Sequence, residues 1–457
     1  LKRYFVTPVS VHTILAVQVA IYTVYALISA VLVFGVAALF FGYAFTGSWP
    51  AFVGSYVLVL AAMLALGMMV GGLPPVFLAQ KMYSALDSFP LLAVPFFIVA
   101  GDIMQKGTIA NSLLAVSRCL VGHIKGGMAH ISILTSLFYG ALSGSAAATV
   151  AAVGGIMIPA MEKEGYPKEF ATAVNSTSGC LGIMIPPSIP LILFGSTAGV
   201  SISDLFVATI VPGILMGCAL MLVSYVICVR RKYGKTVARA KFAEMLKALY
   251  EAKWAIMVPV IVLGGIYGGI TTPTEAGAIA VVYALFVEVF ITRSMTRKLF
   301  FEIIKSSVRI NAAIFLVVAS ATALGQIMMY YNLSAAVLDT IMGISTSKVV
   351  IMALILVVLL ILGTFLEAAA IIMIVTPLLL PVINAIGVDP VHFGIIMLTS
   401  FAVGGQTPPV GMTLFVGASI AKISIERLSI ASIPYILTLV VMLVIIAFVP
   451  QLSLCLI

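Results

Sequence analysis

The stretch GIMIPPSIP, Gly182 to Pro190, places two adjacent prolines inside an apolar run long enough to cross a bilayer. Proline lacks an amide hydrogen and clashes with the preceding turn, so Pro186-Pro187 must release nearby carbonyls from a helix. At membrane depth no water can take them up. The same device returns in GGQTPPVGM, Gly404 to Met412, whose Pro408 lies 222 residues beyond Pro186 (408 minus 186). A pair of plain kinks is the alternative, but two adjacent prolines repeated in register, each with a flanking glycine and a small hydroxyl residue (Ser188, Thr407), argue for a repeated device.

Composition sets the medium. Of 457 residues, 63% are hydrophobic and only 9% charged, and the mean hydropathy is +1.25. This is the profile of a polytopic membrane protein. Long apolar runs without period-two alternation predict an all-α fold and argue against a β-barrel. The net charge of +9 is unevenly placed. Eight of the 24 basic residues fall between Arg230 and Lys253, and Arg293, Arg297, Lys298, Lys305 and Arg309 follow the next pair of helices. The positive-inside rule puts both segments in the cytoplasm, so the charge is a topology signal and does not call for nucleic acid. Five cysteines and four histidines lack metal-ligand or CxxC spacing. The absence of GxxxxGK[ST] argues against an ATP-driven pump within the chain.

In chain order, residues 1–63 read as N-terminal helices serving as scaffold or link, beginning at Leu1 as a fragment or processed product would. Residues 64–229 form a first unit, 230–253 a basic cytoplasmic linker helix, 254–300 connecting helices and 301–457 a second unit. The approximately 30 residues around the first double proline are too few for two full spans, and predict a re-entrant hairpin over 171–200, with its counterpart over 394–423. GDIMQKGTIA (Gly101 to Ala110) resembles GQIMMYYNLS (Gly325 to Ser334), which supports an internal repeat. An odd number of crossings per unit favours an inverted arrangement, and duplicated, interrupted helices point to a secondary transporter with its site at the repeat interface.

Unwound carbonyls make hard oxygen ligands suited to Na⁺, and half-helix N-termini suit an anionic carboxylate. The candidate carbonyls are Gly182, Ile185 and Pro187, and by repeat symmetry Gly404, Thr407 and Pro409. SGS, Ser143 to Ser145, is read either as a helix-packing stretch or as an unwound backbone. Its counterpart GTFLEAAA, Gly363 to Ala370, contains Glu367, which could bind a cation, carry a proton or pair internally. Asp87, Asp102 and Glu275 read as caps or interfacial groups, with Thr272 or Thr274 starting a helix.

The runs FYGALSGSAAATVAAVGGIMIPAMEKEGYPKEFATAV, GIMIPPSIP, TPTEAGA, LGTFLEAAAIIMIVTPLLLPV, GVDPVHFGIIM and TPPVGMTLFV resemble the large membrane (M) subunit of tripartite ATP-independent periplasmic (TRAP) transporters. The resemblance extends from about Leu64 to the C-terminus; residues before Ser48 are read as a linking helix or the tail of a fused small subunit. It implies an elevator-type scaffold plus transport domain in the bacterial inner membrane and coupling to Na⁺. It also implies two partners, a small membrane (Q) subunit and a periplasmic solute-binding protein (P subunit). By the same resemblance, sodium positions fall on Ser143 or Ser145 with Gly182, Ile185 and Pro187, and on Gly363 and Thr364 with Gly404, Thr407 and Pro409. Thr149 stands where some family members carry an aspartate. The implied anion contacts are Ser145, Thr149 and Ser188, with Glu367 a further candidate. A C4-dicarboxylate is the first expectation, and sialic or other sugar acids the second. A channel or passive anion permease, and a polytopic membrane enzyme, are the competing readings.

Overall fold

The computed structural model describes residues 75–107, 109–234 and 238–457; the expectations placed on residues 1–63 and on the start of the first unit lie outside them. The described residues are helical, without a strand, as an apolar chain that must satisfy its own backbone requires. Seven helical stretches are long and apolar enough to cross a membrane, and two further bent pairs qualify when each is taken as one span. The chain is a multi-pass α-helical membrane protein.

Two compact units are distinguished. One contains helix α1 (Pro75–Leu86) and residues Phe315–Asn332, with Leu78, Ala323 and Ile327 as its core. The other contains residues Asp87–Ile314 and Leu333–Ile457. It opens with α2 (Ala93–Lys106), α3 (Ile109–Val121), α4 (Gly127–Ser143), α5 (Ala146–Lys163), α6 (Lys168–Ser178), α7 (Leu181–Met184), α8 (Ile189–Ala198), α9 (Ile202–Ala208) and α10 (Ile210–Arg231). Then come α11 (Phe242–Glu251), α12 (Lys253–Tyr267), α13 (Pro273–Phe286), α14 (Arg297–Tyr330, which ends in the first unit) and α15 (Leu333–Ile344). The last part comprises α16 (Lys348–Phe365), α17 (Ala368–Ala385), α18 (Pro390–Gly404), α19 (Met412–Ala421), α20 (Ile425–Phe448) and α21 (Gln451–Leu454).

The basic linker yields a short helix, α11, whose Phe242, Leu246 and Tyr250 are exposed beside Lys247. That mixture suits a helix lying in the interface. TTPTE starts α13 as expected. Thr272 accepts from the Glu275 N–H at 3.3 Å while Glu275 Oε2 accepts from the Thr272 N–H at 2.8 Å, a reciprocal cap that satisfies two orphan donors.

The turn back on itself occurs where no hairpin was expected. The chain reverses between α4 and α5, which pack together across the two-residue link Gly144-Ser145. Gly144 has φ +60°, the left-handed conformation that ends a helix, and its N–H donates to the Gly140 carbonyl. By contrast, the stretch expected as a hairpin over 171–200 runs on: Lys168–Met184 and Ile189–Ala198 are bent by only 40° at the prolines. It is a discontinuous span. A double proline removes donors and ends a helix, but nothing in it compels reversal. Over 394–423 the same order recurs, α18 and α19 separated by the break Gly405 to Gly411.

The element boundaries recur at a fixed interval. The starts of α5 and α17 lie at 146 and 368, and those of α6 and α18 at 168 and 390, each 222 apart (368 minus 146; 390 minus 168). Packing is reciprocal as well. The second half of the first broken span, α8, packs on α17, and the second half of the other, α19, packs on α5. Paired glycines permit the closest approaches. A Cβ on Gly404 would sit 2.7 Å from the Gly363 backbone, and Gly140 and Gly182 meet in the same way, with 3.1 Å from a Gly140 Cβ to the Gly182 Cα.

Gly404→Ala is therefore expected to lower the thermal unfolding temperature of the purified protein, an overpacking effect of about 1–3 kcal/mol. Gly155→Ala is the control, since its Cβ would meet nothing within 4 Å. Equal stability of the two variants would contradict backbone contact between α16 and α18.

Candidate functional site

The first break is entirely buried from Leu181 to Pro190. A helix would have satisfied the Gly182 and Ile183 carbonyls with the N–H groups of residues 186 and 187, both prolines. The Ile185 N–H reaches back to the Leu181 carbonyl at 3.1 Å, and Thr209 Oγ1 donates to the Met184 carbonyl at 2.7 Å. Among the described residues no N–H or O–H donates to the carbonyls of Gly182, Ile185 or Pro187. Pro186-Pro187 is a cis peptide, as is Pro408-Pro409.

The α4–α5 turn lies directly against this break. A Cβ on Gly144 would be 2.7 Å from the Pro187 carbonyl oxygen and 3.4 Å from the Ile189 nitrogen, and one on Gly182 would be 2.6 Å from the Ser145 carbonyl oxygen and in collision with Thr149 Oγ1. Thr149 Oγ1 donates to the Ser145 carbonyl at 2.9 Å and shares a hydrogen bond with Ser143 Oγ at 3.0 Å. Ser145 caps α5, its hydroxyl accepting from the Ala148 N–H at 3.4 Å. Ser188 starts α8 without a side-chain cap, and its fully buried hydroxyl has no partner among the described residues. The structure thus gathers Ser143, Ser145, Thr149, Gly182 and Pro187, with Ile185 and Ser188 in the same buried break. The N-termini of α5 and α8 meet there, both positive ends of helix dipoles.

The second break is built differently. Gly363 lies against Gly404, but the Gly404 carbonyl already accepts the Thr407 N–H at 2.9 Å and the Gly405 carbonyl accepts from Thr413 N–H and Oγ1. The hydroxyls of Thr364 and Thr407 donate within their own helical turns, to Ile361 and Val403. Pro408 and Pro409 are exposed. Glu367 stands 222 residues after Ser145 and plays the same capping part, its Oε2 accepting from the Ala369 N–H at 3.2 Å. It is exposed, and the described contacts tie it to the start of α17.

Two polar groups were passed over or misread in the sequence. Gln406 is fully buried with its amide against the Cys180 thiol, a weak partner that leaves most of the amide's hydrogen-bonding capacity unused. A polar side chain one residue before TPP was the available signal, because intramembrane polar groups are expensive. Asp102, expected at an interface, is buried and accepts from Ser307 Oγ at 2.7 Å. Its neighbour Gly101 rests on the α4–α5 turn, where a Cβ would be 3.3 Å from the Leu142 carbonyl oxygen and from the Ser143 Cα. The polar end of α6, Asn175 to Ser178, is largely structural: Asn175 Oδ1 accepts from Ser132 Oγ at 2.7 Å and Ser178 pairs with Ser136 at 3.0 Å, stitching α6 to α4. No cluster of His, Cys, Asp and Glu suited to a transition metal occurs among the described residues.

Removing the hydroxyl that satisfies the Met184 carbonyl tests this bookkeeping. Thr209→Val should destabilise the protein by about 1–3 kcal/mol, the cost of a buried unsatisfied carbonyl. Thr438→Val, a half-buried site whose hydroxyl bonds within its own helix, should leave thermal unfolding almost unchanged. Identical curves for the two variants would contradict the assignment.

Comparison with known proteins accounts for most of the chain. A family model described as the tripartite ATP-independent periplasmic transporter, DctM component, matches residues 41–452. The isethionate TRAP transporter permease protein DctMQ of Oleidesulfovibrio alaskensis is 43% identical over 401 residues, covering 88% of this chain and 62% of that protein, so the chain spans less than two thirds of that relative. The sialic acid TRAP transporter large permease SiaM of Vibrio cholerae is 38% identical over 83% of this chain and 89% of its own length. The C4-dicarboxylate large permease DctM of Pseudomonas aeruginosa is 36% identical over 83% and 88%. Among solved structures, the YdaH transporter of Alcanivorax borkumensis shares the fold at a TM-score of 0.59 and 15% identity, covering 87% of this chain and 97% of that one. The chain belongs to the DctM family, the large permease component of TRAP transporters.

Proposed function

We propose that this permease imports a small organic anion by coupling it to Na⁺, with the first break as the principal cation site. The observation that carries the reading is the buried set of carbonyls on Gly182, Ile185 and Pro187, left without donors and faced by Ser143, Ser145 and Thr149. Such carbonyls are costly unless something binds them. A compact hard cation fits oxygen donors of this kind. The anion is read as docking beside it, at the uncapped N-terminus of α8 and the free Ser188 hydroxyl. Bound Na⁺ would then supply the positive charge that the side chains there lack. Glu367 is better suited to capping α17 than to holding an anion, which its own carboxylate would repel.

Membership of the family supports two partners, a small membrane subunit and a periplasmic solute-binding protein, and a place in a bacterial inner membrane. The reciprocal packing of α8 on α17 and α19 on α5 supports an inverted pair of units. In such a pair the α4–α5 hairpin, its counterpart α16–α17 and the two broken spans would move as one body against a scaffold. The substrates named for the relatives are all small organic anions: isethionate, sialic acid and C4-dicarboxylate. Identity of 43% with the isethionate protein against 36% with a C4-dicarboxylate one moves a short sulfonate or carboxylate of isethionate size to the front, ahead of the dicarboxylate expected from sequence.

Proteoliposomes holding both membrane subunits, with binding protein outside, should accumulate isethionate or succinate only under an inward Na⁺ gradient. Uptake unchanged when K⁺ replaces Na⁺ would remove the coupling, and single-channel currents would favour a channel. Ser143→Ala with Thr149→Val should weaken apparent Na⁺ affinity by about tenfold or more, roughly 1.4 kcal/mol, with thermal unfolding in Na⁺-free buffer little altered. An unaltered Na⁺ response in that folded variant would contradict the site.

A further inference from the structure

A groove with a cavity volume of about 430 Å³ opens between α10 and α20, lined by Leu222, Val223, Val226, Ile227, Arg230, Arg231 and Pro434. The lining follows helical spacing. Leu222, Val226 and Arg230 form one row at i, i+4 and i+8, and Val223, Ile227 and Arg231 a second row beside it. Each row is apolar for two turns and then ends in a guanidinium, so the trough runs about 12 Å along α10. Leu222, Val226 and both arginines are exposed. The helices that frame the groove are held together by the buried pair Ser224 Oγ and Tyr435 OH at 3.1 Å. Among the described residues neither arginine makes an ion pair.

We infer that this groove binds an anionic phospholipid, one acyl chain lying along Leu222–Val226 and Val223–Ile227 and the phosphate meeting Arg230 and Arg231. Charge complementarity selects this occupant. The apolar walls lie within a membrane-spanning helix, and the two cations stand at the end that the positive-inside rule assigns to the cytoplasmic surface, where anionic headgroups collect. Paired guanidiniums also match the geometry of a phosphate better than that of a zwitterionic choline headgroup. The groove lies on α10, away from the residues of the first break, and the inference does not depend on Na⁺ coupling.

Native mass spectrometry of the purified protein with dioleoyl phosphatidylglycerol, and thermal unfolding in nanodiscs of phosphatidylglycerol or phosphatidylcholine, test it. The wild-type chain should retain phosphatidylglycerol and unfold at a higher temperature in it than in phosphatidylcholine. Arg230→Gln with Arg231→Gln should lower that affinity by about 30-fold, the effect of two surface cations. Val226→Trp, which keeps both charges but fills the trough, should reduce it as well. Arg297→Gln with Lys298→Gln, elsewhere on the basic surface, should leave it intact. Several results would overturn the inference. One is an undiminished phosphatidylglycerol effect in the Arg230/Arg231 variant. A second is full reproduction of the stabilisation by inorganic phosphate alone. A third is a Val226→Trp variant that loses a co-purifying membrane protein while its lipid response stays whole.

Discussion

A backbone carbonyl at membrane depth needs a partner, and the rest of this structure depends on how that constraint is met at Pro186-Pro187. The two prolines withdraw the donors that Gly182 and Ile183 would have had in a continuous helix. Thr209 takes the Met184 carbonyl, whereas the carbonyls of Gly182, Ile185 and Pro187 are left without donors, and Gly182 and Pro187 lie against the α4–α5 turn. That turn can approach only because Gly140, Gly144 and Gly182 lack side chains; a Cβ on any of them would strike backbone. Packing and site are thus one feature: the glycines that allow two interrupted elements to touch also bring a serine-rich turn against unpaired oxygens.

The second break shows the same arrangement with one of its three candidate oxygens, that of Gly404, occupied from within, while no described donor reaches the carbonyls of Thr407 and Pro409. Thr407 and Thr413 bond back to Gly404 and Gly405, and the proline pair is exposed. The two halves share element order, interval and glycine contacts yet differ in how many carbonyls remain open. Under the proposed function the first break holds its cation ready-made. The second would need its internal bonds rearranged or shared, since a carbonyl has two lone pairs. Gln406, buried against the Cys180 thiol, lies on the second break and touches the link between α6 and α7 at the first.

Much of this was legible in the sequence. Apolar content predicted the all-helical membrane fold, and the repeated double proline predicted an interval that the element boundaries reproduce. The hairpin was misplaced for a physical reason. Prolines advertise a break loudly, but reversal depends on a left-handed residue, and Gly144 inside SGS is a quieter signal. Glu367 drew attention as an intramembrane carboxylate, although its place just before an alanine run also fits an N-cap. Asp102 was read as interfacial because a carboxylate near the end of an apolar run is usually solvated; its partner Ser307 lies 205 residues away, beyond the reach of any local pattern.

The central claim is that the oxygens of the first break bind Na⁺. Equilibrium binding of ²²Na⁺ to the purified protein in K⁺ buffer, without substrate or partner proteins, tests it most directly. The account predicts saturable binding that unlabelled Na⁺ displaces and K⁺ does not. Binding that is absent, or displaced equally well by K⁺, would contradict it.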